Sequence, residues 1–203
     1  MGLWIFESCR KEWEADGITI EYDAILDEVV DTRGFSCFIF PDDERFLNPP
    51  SMLAAISTQL AETEQPEPDR ASGFAKLIFD SLAFRYASVL RSIESVTGRK
   101  LTGIEILGGG GRNRYLNQMT ANASGLPARS GLTEATVVGN VLVQAVSSGR
   151  FESLAAARSY VETNVEFEEF APQRLPEIAE AAERYFSIES RFIDLMTRSS
   201  DRK

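Results

Sequence analysis

Apolar residues recur at three-and-four spacing along much of this chain, and each such stretch predicts a helix with one buried stripe. Leu3, Phe6, Cys9 and Trp13 give the first, within Gly2 to Trp13, and a polar-apolar stretch from Thr19 to Val30 gives the second. Pro49-Pro50 leads into a third, from about Ser51 to Glu62. The most continuous stripe runs from Arg70 to Val96 through Phe74, Leu77, Ile78, Leu82, Tyr86, Val89, Leu90 and Ile93, with Gly98 placed as its C-terminal cap. Leu154 to Glu162 and Pro176 to Arg198 are two more, joined by an acidic run, Asn164 to Pro172, that reads as a solvated linker.

Shorter apolar segments bounded by breakers read as strands. Gly34 to Pro41 is one, Leu101 to Leu107 a second and Leu126 to Ser130 a third. Four consecutive glycines, Gly108 to Gly111, follow the second directly. Asn113 can then cap a helix that runs to about Ala123 and closes at Gly125, and Thr133 can cap another carrying Val137, Val138, Val141, Leu142 and Val146. Gly139 lies inside that last helix, where glycine costs about 1 kcal/mol against alanine, so it marks close packing or a close ligand. From Thr102 to Ser147 the order is strand, helix, strand, helix, the grammar of an α/β sheet with parallel strands.

Composition narrows the chemistry. The 203 residues can bury one sizeable core, and 43% apolar with 26% charged residues is ordinary for a soluble globular chain. No run approaches the ~20 apolar residues that span a bilayer, and no signal sequence is visible, so a cytoplasmic protein is expected. A net charge of -10 disfavours nucleic acid as a partner. Cys9 and Cys37 are too few for a zinc cluster or a disulfide framework. There is no histidine. Ser-His-Asp or Cys-His nucleophiles, imidazole bases and His-ligated zinc are therefore excluded within the chain.

Glycines between a strand and a helix let the main chain approach a ligand, and the helix N-terminus beyond favours an anion. The run lacks the Gly-Lys-Ser/Thr of a P-loop, and Gly108-x-Gly110-x-x-Asn113 lacks the third glycine of the dinucleotide fingerprint. Pattern alone leaves two readings open, a nucleotide contact and a tight turn that needs positive φ. Glu166, Glu168 and Glu169 suggest a hard cation only weakly, since such sites recruit carboxylates from separate elements, and no metal ligands are assigned.

The wording of Ile104 to Gln144, IEILGGGGRNRYLNQMTANASGLPARSGLTEATVVGNVLVQ, closely resembles the C-terminal signature of the L-rhamnulose kinases, members of the FGGY carbohydrate kinases. GLW at Gly2 to Trp4, DDERFLNP at Asp42 to Pro49 and FDSLAFRYASVL at Phe79 to Leu90 extend the resemblance in family order. It implies an actin-like ATPase, ribonuclease H-like fold: an α/β domain, helix-rich, with a short, mostly parallel sheet. Residues 1–203 would be the second domain of such a kinase without its opening strands, and the missing N-terminal domain would be its partner. The start at Met1, almost directly on a core helix, fits a piece of a longer protein.

The resemblance also implies ATP with Mg2+, a sugar hydroxyl that attacks the γ-phosphoryl group, and an aspartate base that precedes GLW and so lies outside this chain. Gly109 takes the place of the middle glycine of the family's ATP-contacting triplet, flanked by Gly108 and Gly110, with Asn113 next in line. A further ATP-side position, usually glutamine, falls on Glu7, whose charge would repel phosphate unless a cation intervenes. Asp16, Asp23, Asp27 and Asp31 read as solvated, and none is assigned as the base. Exposed sheet edges would favour homo-oligomers. A kinase-derived binding or regulatory module is the alternative function.

Overall fold

The computed structural model describes residues 2–200, with side chains through residue 195. Eight helices and three short strands are found among them: α1 (Trp4–Ala15), α2 (Tyr22–Asp31), α3 (Met52–Glu62), α4 (Ala71–Thr97), β1 (Ile104–Ile106), α5 (Arg114–Ser124), β2 (Ala128–Ser130), α6 (Ala135–Ser147), α7 (Leu154–Asn164), β3 (Glu168–Phe170) and α8 (Pro176–Ser200). The helix-rich α/β class expected from the sequence is therefore observed.

Four of the predicted helix ends are set by the residues expected there, and one is not. Ser51 accepts from the Ala54 amide at the start of α3, and Asn113 Oδ1 accepts from the Leu116 amide at the start of α5. Gly98 and Gly125 close α4 and α5 in the left-handed conformation that glycine adopts without a Cβ clash. Thr133 caps nothing. Helix α6 begins one residue later than that role requires, after Glu134, which makes no side-chain cap bond either.

Most of the apolar surface converges on one core. Phe6, Phe38, Phe79, Phe84 and Tyr185 are fully buried, and their rings meet edge-on or stacked: Phe6 and Phe79 at 5.0 Å, Phe38 and Phe84 at 5.6 Å, Phe84 and Tyr185 at 5.7 Å. Each such side chain contributes roughly 1.5–3 kcal/mol by leaving water, and the ring pairs add to it. Helix α4 runs through this core. That explains why its stripe was the clearest in the sequence.

Gly34 to Pro41 is not a strand. Its residues 37–40 are buried and without a ladder, because side chains meet their main-chain groups: the amides of Phe38, Ile39 and Phe40 donate to Gln65 Oε1, Ser81 Oγ and Gln59 Oε1 at 2.7–3.0 Å. Buried amides need partners, and here α3, α4 and Gln65 supply them. Phe35, just before, sits at φ 60, a strained value for an aromatic residue.

The sheet orders β1-β2-β3. Strands β1 and β2 run parallel, Ile104 opposite Ala128 and Ile106 opposite Ser130, and β3 joins antiparallel with Phe170 opposite Ala128. The sheet is therefore mixed rather than mostly parallel. Strand β3 lies inside the acidic run read as a linker: buried Phe170 anchors it among Ala121, Ala128, Ile104 and Ile106, and Arg114 Nε holds Glu168 at 2.6 Å. Beyond the sheet, no residue of α6 is buried, and Val137, Val141 and Val143 are all more than half exposed. A Cβ on Gly139 would meet nothing within 4 Å, so close packing does not account for that glycine. No helix among the described residues is long and apolar enough to cross a membrane.

Candidate functional site

Each glycine of the run has its own surroundings. Gly108 leaves β1 at φ 81, a conformation that side chains oppose, and its amide donates to Leu132 O at 3.0 Å, tying the run to the loop between β2 and α6. Gly109 to Arg112 then form a single 3-10 turn, with the Gly111 amide donating to Gly108 O and the Asn113 amide to Gly110 O. A Cβ on Gly111 would come within 3.3 Å of Ser130 Cβ, and one on Gly110 within 3.6 Å of Leu3 Cδ1. At Gly109 a Cβ would meet nothing. Turn geometry accounts for Gly108 and packing accounts for Gly111. Neither accounts for Gly109, whose amide, like that of Gly110, donates to no carbonyl among the described residues.

A cleft of about 720 Å3 opens beside the run. Gly108, Gly111 and Arg112 form one wall, Ser130, Gly131 and Thr133 another, and Glu166 to Glu168 with Asp23 of α2 complete it. Gly131 is required there, because a Cβ would stand 2.6 Å from Glu166 O. Arg114 is held by Glu168, whereas Arg112 is exposed and has no carboxylate partner among the described residues, which leaves it as the free cation of the cleft. Arg112 was missed in the sequence because a lone arginine in a polar loop carries no periodic signal. Of the four aspartates set aside there, Asp23 is the one at the cleft.

The remaining expected residues lie behind this surface. Asn113 is fully buried, its carboxamide oxygen engaged as the α5 cap, so its side chain shapes the loop rather than facing the cleft. Tyr22 stands against it; burial raises the Tyr22 phenol pKa, and Asn113 opposes that shift. Glu7 sits in the first turn of α1, with Oε2 3.0 Å from Arg10 Nη1, and Arg10 also donates to Ile20 O and lies over the Tyr22 ring. The charge feared as a repeller of phosphate is thus met by a cation from its own helix. The structure brings Gly108, Gly109, Gly110 and Asn113 together in one loop, but of the expected residues only Gly108 lines the cleft; Gly109, Gly110, Asn113 and Glu7 lie outside its lining.

No three acidic or cysteine side chains converge among the described residues. The open Gly109 backbone, the cleft and Arg112 fit a nucleotide; the same residues offer no coordination set for magnesium.

Comparison with known proteins adds the family. The family model described as the C-terminal domain of the FGGY family of carbohydrate kinases matches residues 1–148. A protein named rhamnulokinase from Bacteroides thetaiotaomicron is 37% identical over 172 residues, which is 85% of this chain and 35% of that protein. Rhamnulokinases of Bacillus subtilis and of an Enterobacter species are 32% and 33% identical over 85% and 88% of the chain. The chain spans about a third of the length of these relatives, 35–36%. A ligand-bound xylulose kinase from Lactobacillus acidophilus superposes over 63% of this chain and 25% of its own, with a TM-score of 0.47 and 13% identity. On the family match and these relatives, the chain belongs to the FGGY family of carbohydrate kinases and carries their C-terminal domain.

Proposed function

We propose that this chain forms the adenosine-side wall of the ATP site of a cytoplasmic kinase that converts L-rhamnulose to L-rhamnulose 1-phosphate, and that it is inactive alone. The observation that carries the reading is Gly109, a glycine that neither turn geometry nor packing requires, on a loop whose neighbours line a cleft. The names of the relatives supply the sugar.

In this reading the nucleoside lies against the Gly108–Gly110 backbone, where a side chain would intrude, and the free amides of Gly109 and Gly110 face it. Arg112 supplies positive charge to the phosphates. Asn113 keeps α5 capped behind them. ATP would supply the phosphoryl group, and since the described residues offer no ligand set for magnesium, any residues that hold the metal would belong to the N-terminal domain. That domain would also carry the aspartate base and the sugar-holding residues. This chain's part is positioning and electrostatic stabilisation. A non-catalytic binding or regulatory module is the second reading; the residue that favours it is Glu7, which stands where the family usually carries glutamine and is paired here with Arg10.

Calorimetric titration of the purified chain with Mg-ATP should show weak binding that Gly109→Val abolishes without unfolding the protein. A coupled assay should detect no L-rhamnulose phosphorylation by the chain alone, and turnover once the N-terminal part of the kinase is co-expressed. Robust turnover by the isolated chain would overturn the inactive-alone reading. Failure of co-expression to restore any activity would overturn the kinase reading itself. The open outer edge of β1 and the uncovered α6 are also where a second copy would associate, and light scattering that gives a clean monomer at high concentration would remove that possibility.

A further inference from the structure

Two of the three buried charged side chains among the described residues, Asp80 and Lys76, sit one turn apart on α4 against α5; the third, Glu189 of α8, is paired with Arg85. Asp80 is 1% exposed and Lys76 8%. Asp80 Oδ1 accepts from Tyr115 Oη at 2.5 Å, and Oδ2 accepts from the Phe35 amide at 3.3 Å. Lys76 Nζ donates to Val29 O of α2 at 2.9 Å and stands 4.2 Å from the centre of the Tyr115 ring. A cavity of about 350 Å3 reaches these side chains, but both carboxylate oxygens are engaged and the ammonium is directed at α2 and the ring. The cluster is a tie between elements rather than a subsite.

What it ties is specific. Tyr115 is the second residue of α5, one turn from the loop. Helix α5 holds the loop through two asparagines, Asn113 at the cap and Asn117, whose Nδ2 donates to Gly111 O at 2.8 Å. A shift of Tyr115 therefore moves the Gly111 carbonyl and the wall of the cleft with it. Lys76 extends the tie to α2, which carries Asp23 on the opposite side of that cleft.

We propose that Asp80, Tyr115 and Lys76 are positioning residues for the nucleotide loop, a buried electrostatic tie that fixes α5 and α2 on α4 and thereby sets the geometry of the cleft. The consequence for nucleotide rests on the function proposed above; the mechanical role does not. Tyr115→Phe removes one charge-assisted donor and keeps the ring beneath Lys76, so the fold is retained. The amides of Gly111, Asn113 and Leu116 should then exchange hydrogen about tenfold faster, the loss expected for one such bond, while amides of α8 keep their rates. Asp80→Ala should loosen the same amides further, and Asp80→Asn, which still accepts from Tyr115, should recover most of the protection. ATP affinity should fall about tenfold in Tyr115→Phe.

Unchanged exchange at the loop in Tyr115→Phe, or an equal rise throughout α8, would overturn the tie. Faster loop exchange with unaltered ATP affinity would overturn its role in positioning. If the unmodified chain binds no ATP, the functional reading fails, and loop exchange alone then supports or overturns the tie.

Discussion

Two regions of this molecule are built on opposite principles. Helices α1 to α4 and α8 enclose a core of interlocking aromatic rings, whereas the sheet with its flanking helices rests on Ala121, Ala128 and Phe170, with Ile104 and Ile106 only partly covered. The glycine loop starts in the thin region and leans on the thick one through α5. Deep packing makes α4 a fixed reference. The shallow side, with few apolar contacts, is where local opening is least costly and where a ligand can change the surface.

The difference predicts a graded response to substitution. Phe79→Ala, in the thick region, should cost about 3–5 kcal/mol in urea denaturation, because it leaves a cavity among fully buried rings. Loss of less than about 1 kcal/mol would mean that the core is looser than described. Gly131→Ala drives a methyl group into Glu166 O and should cost roughly 1–3 kcal/mol, seen mainly as faster exchange in β2 and β3. An equal effect in α4 would erase the distinction between the regions.

Titration sharpens the comparison from inside the thick region. Burial holds the Asp80 carboxyl at about 6, against an ordinary 3.8, despite the opposing pull of Tyr115 and Lys76. The folded state therefore binds more protons than the unfolded state between those values, and this group makes stability fall as pH rises from about 4 to 6, then level off. Asp80→Asn should remove that component from the difference between the two proteins' denaturation curves. A difference that does not change over the window would place Asp80 in a more hydrated setting. The smallest effect belongs to α6: Val141→Gln, on a face already exposed, should change stability by no more than about 0.5 kcal/mol.

What could be read in advance follows the same division. Helices of the thick region announced themselves because one face of each is buried, which imposes periodicity, and their caps are single residues with local geometry, such as Ser51 and Gly98. Strand β3 did not, since three residues with two glutamates carry no alternation; pairing with β2 and the Arg114 contact make it a strand. At the site, the glycines were visible by their number, and the family's wording picked out Gly109. The free position of Arg112 and the tie from Asp80 to Tyr115 depend on contacts across 35 residues and more, which no local pattern encodes.

The segment from Phe35 to Phe40 is six residues of aromatic, β-branched and small side chains without charge or proline, the composition from which dry, stacked sheets assemble. In the folded chain Gln65 bonds both the amide and the carbonyl of Phe38, as a neighbouring strand would, and Gln59 and Ser81 occupy the next two amides. The two glutamines thus occupy hydrogen-bonding groups that a neighbouring backbone would otherwise use, and Gln65→Ala should make this segment more prone to strand pairing, read as faster thioflavin-positive assembly on partial unfolding.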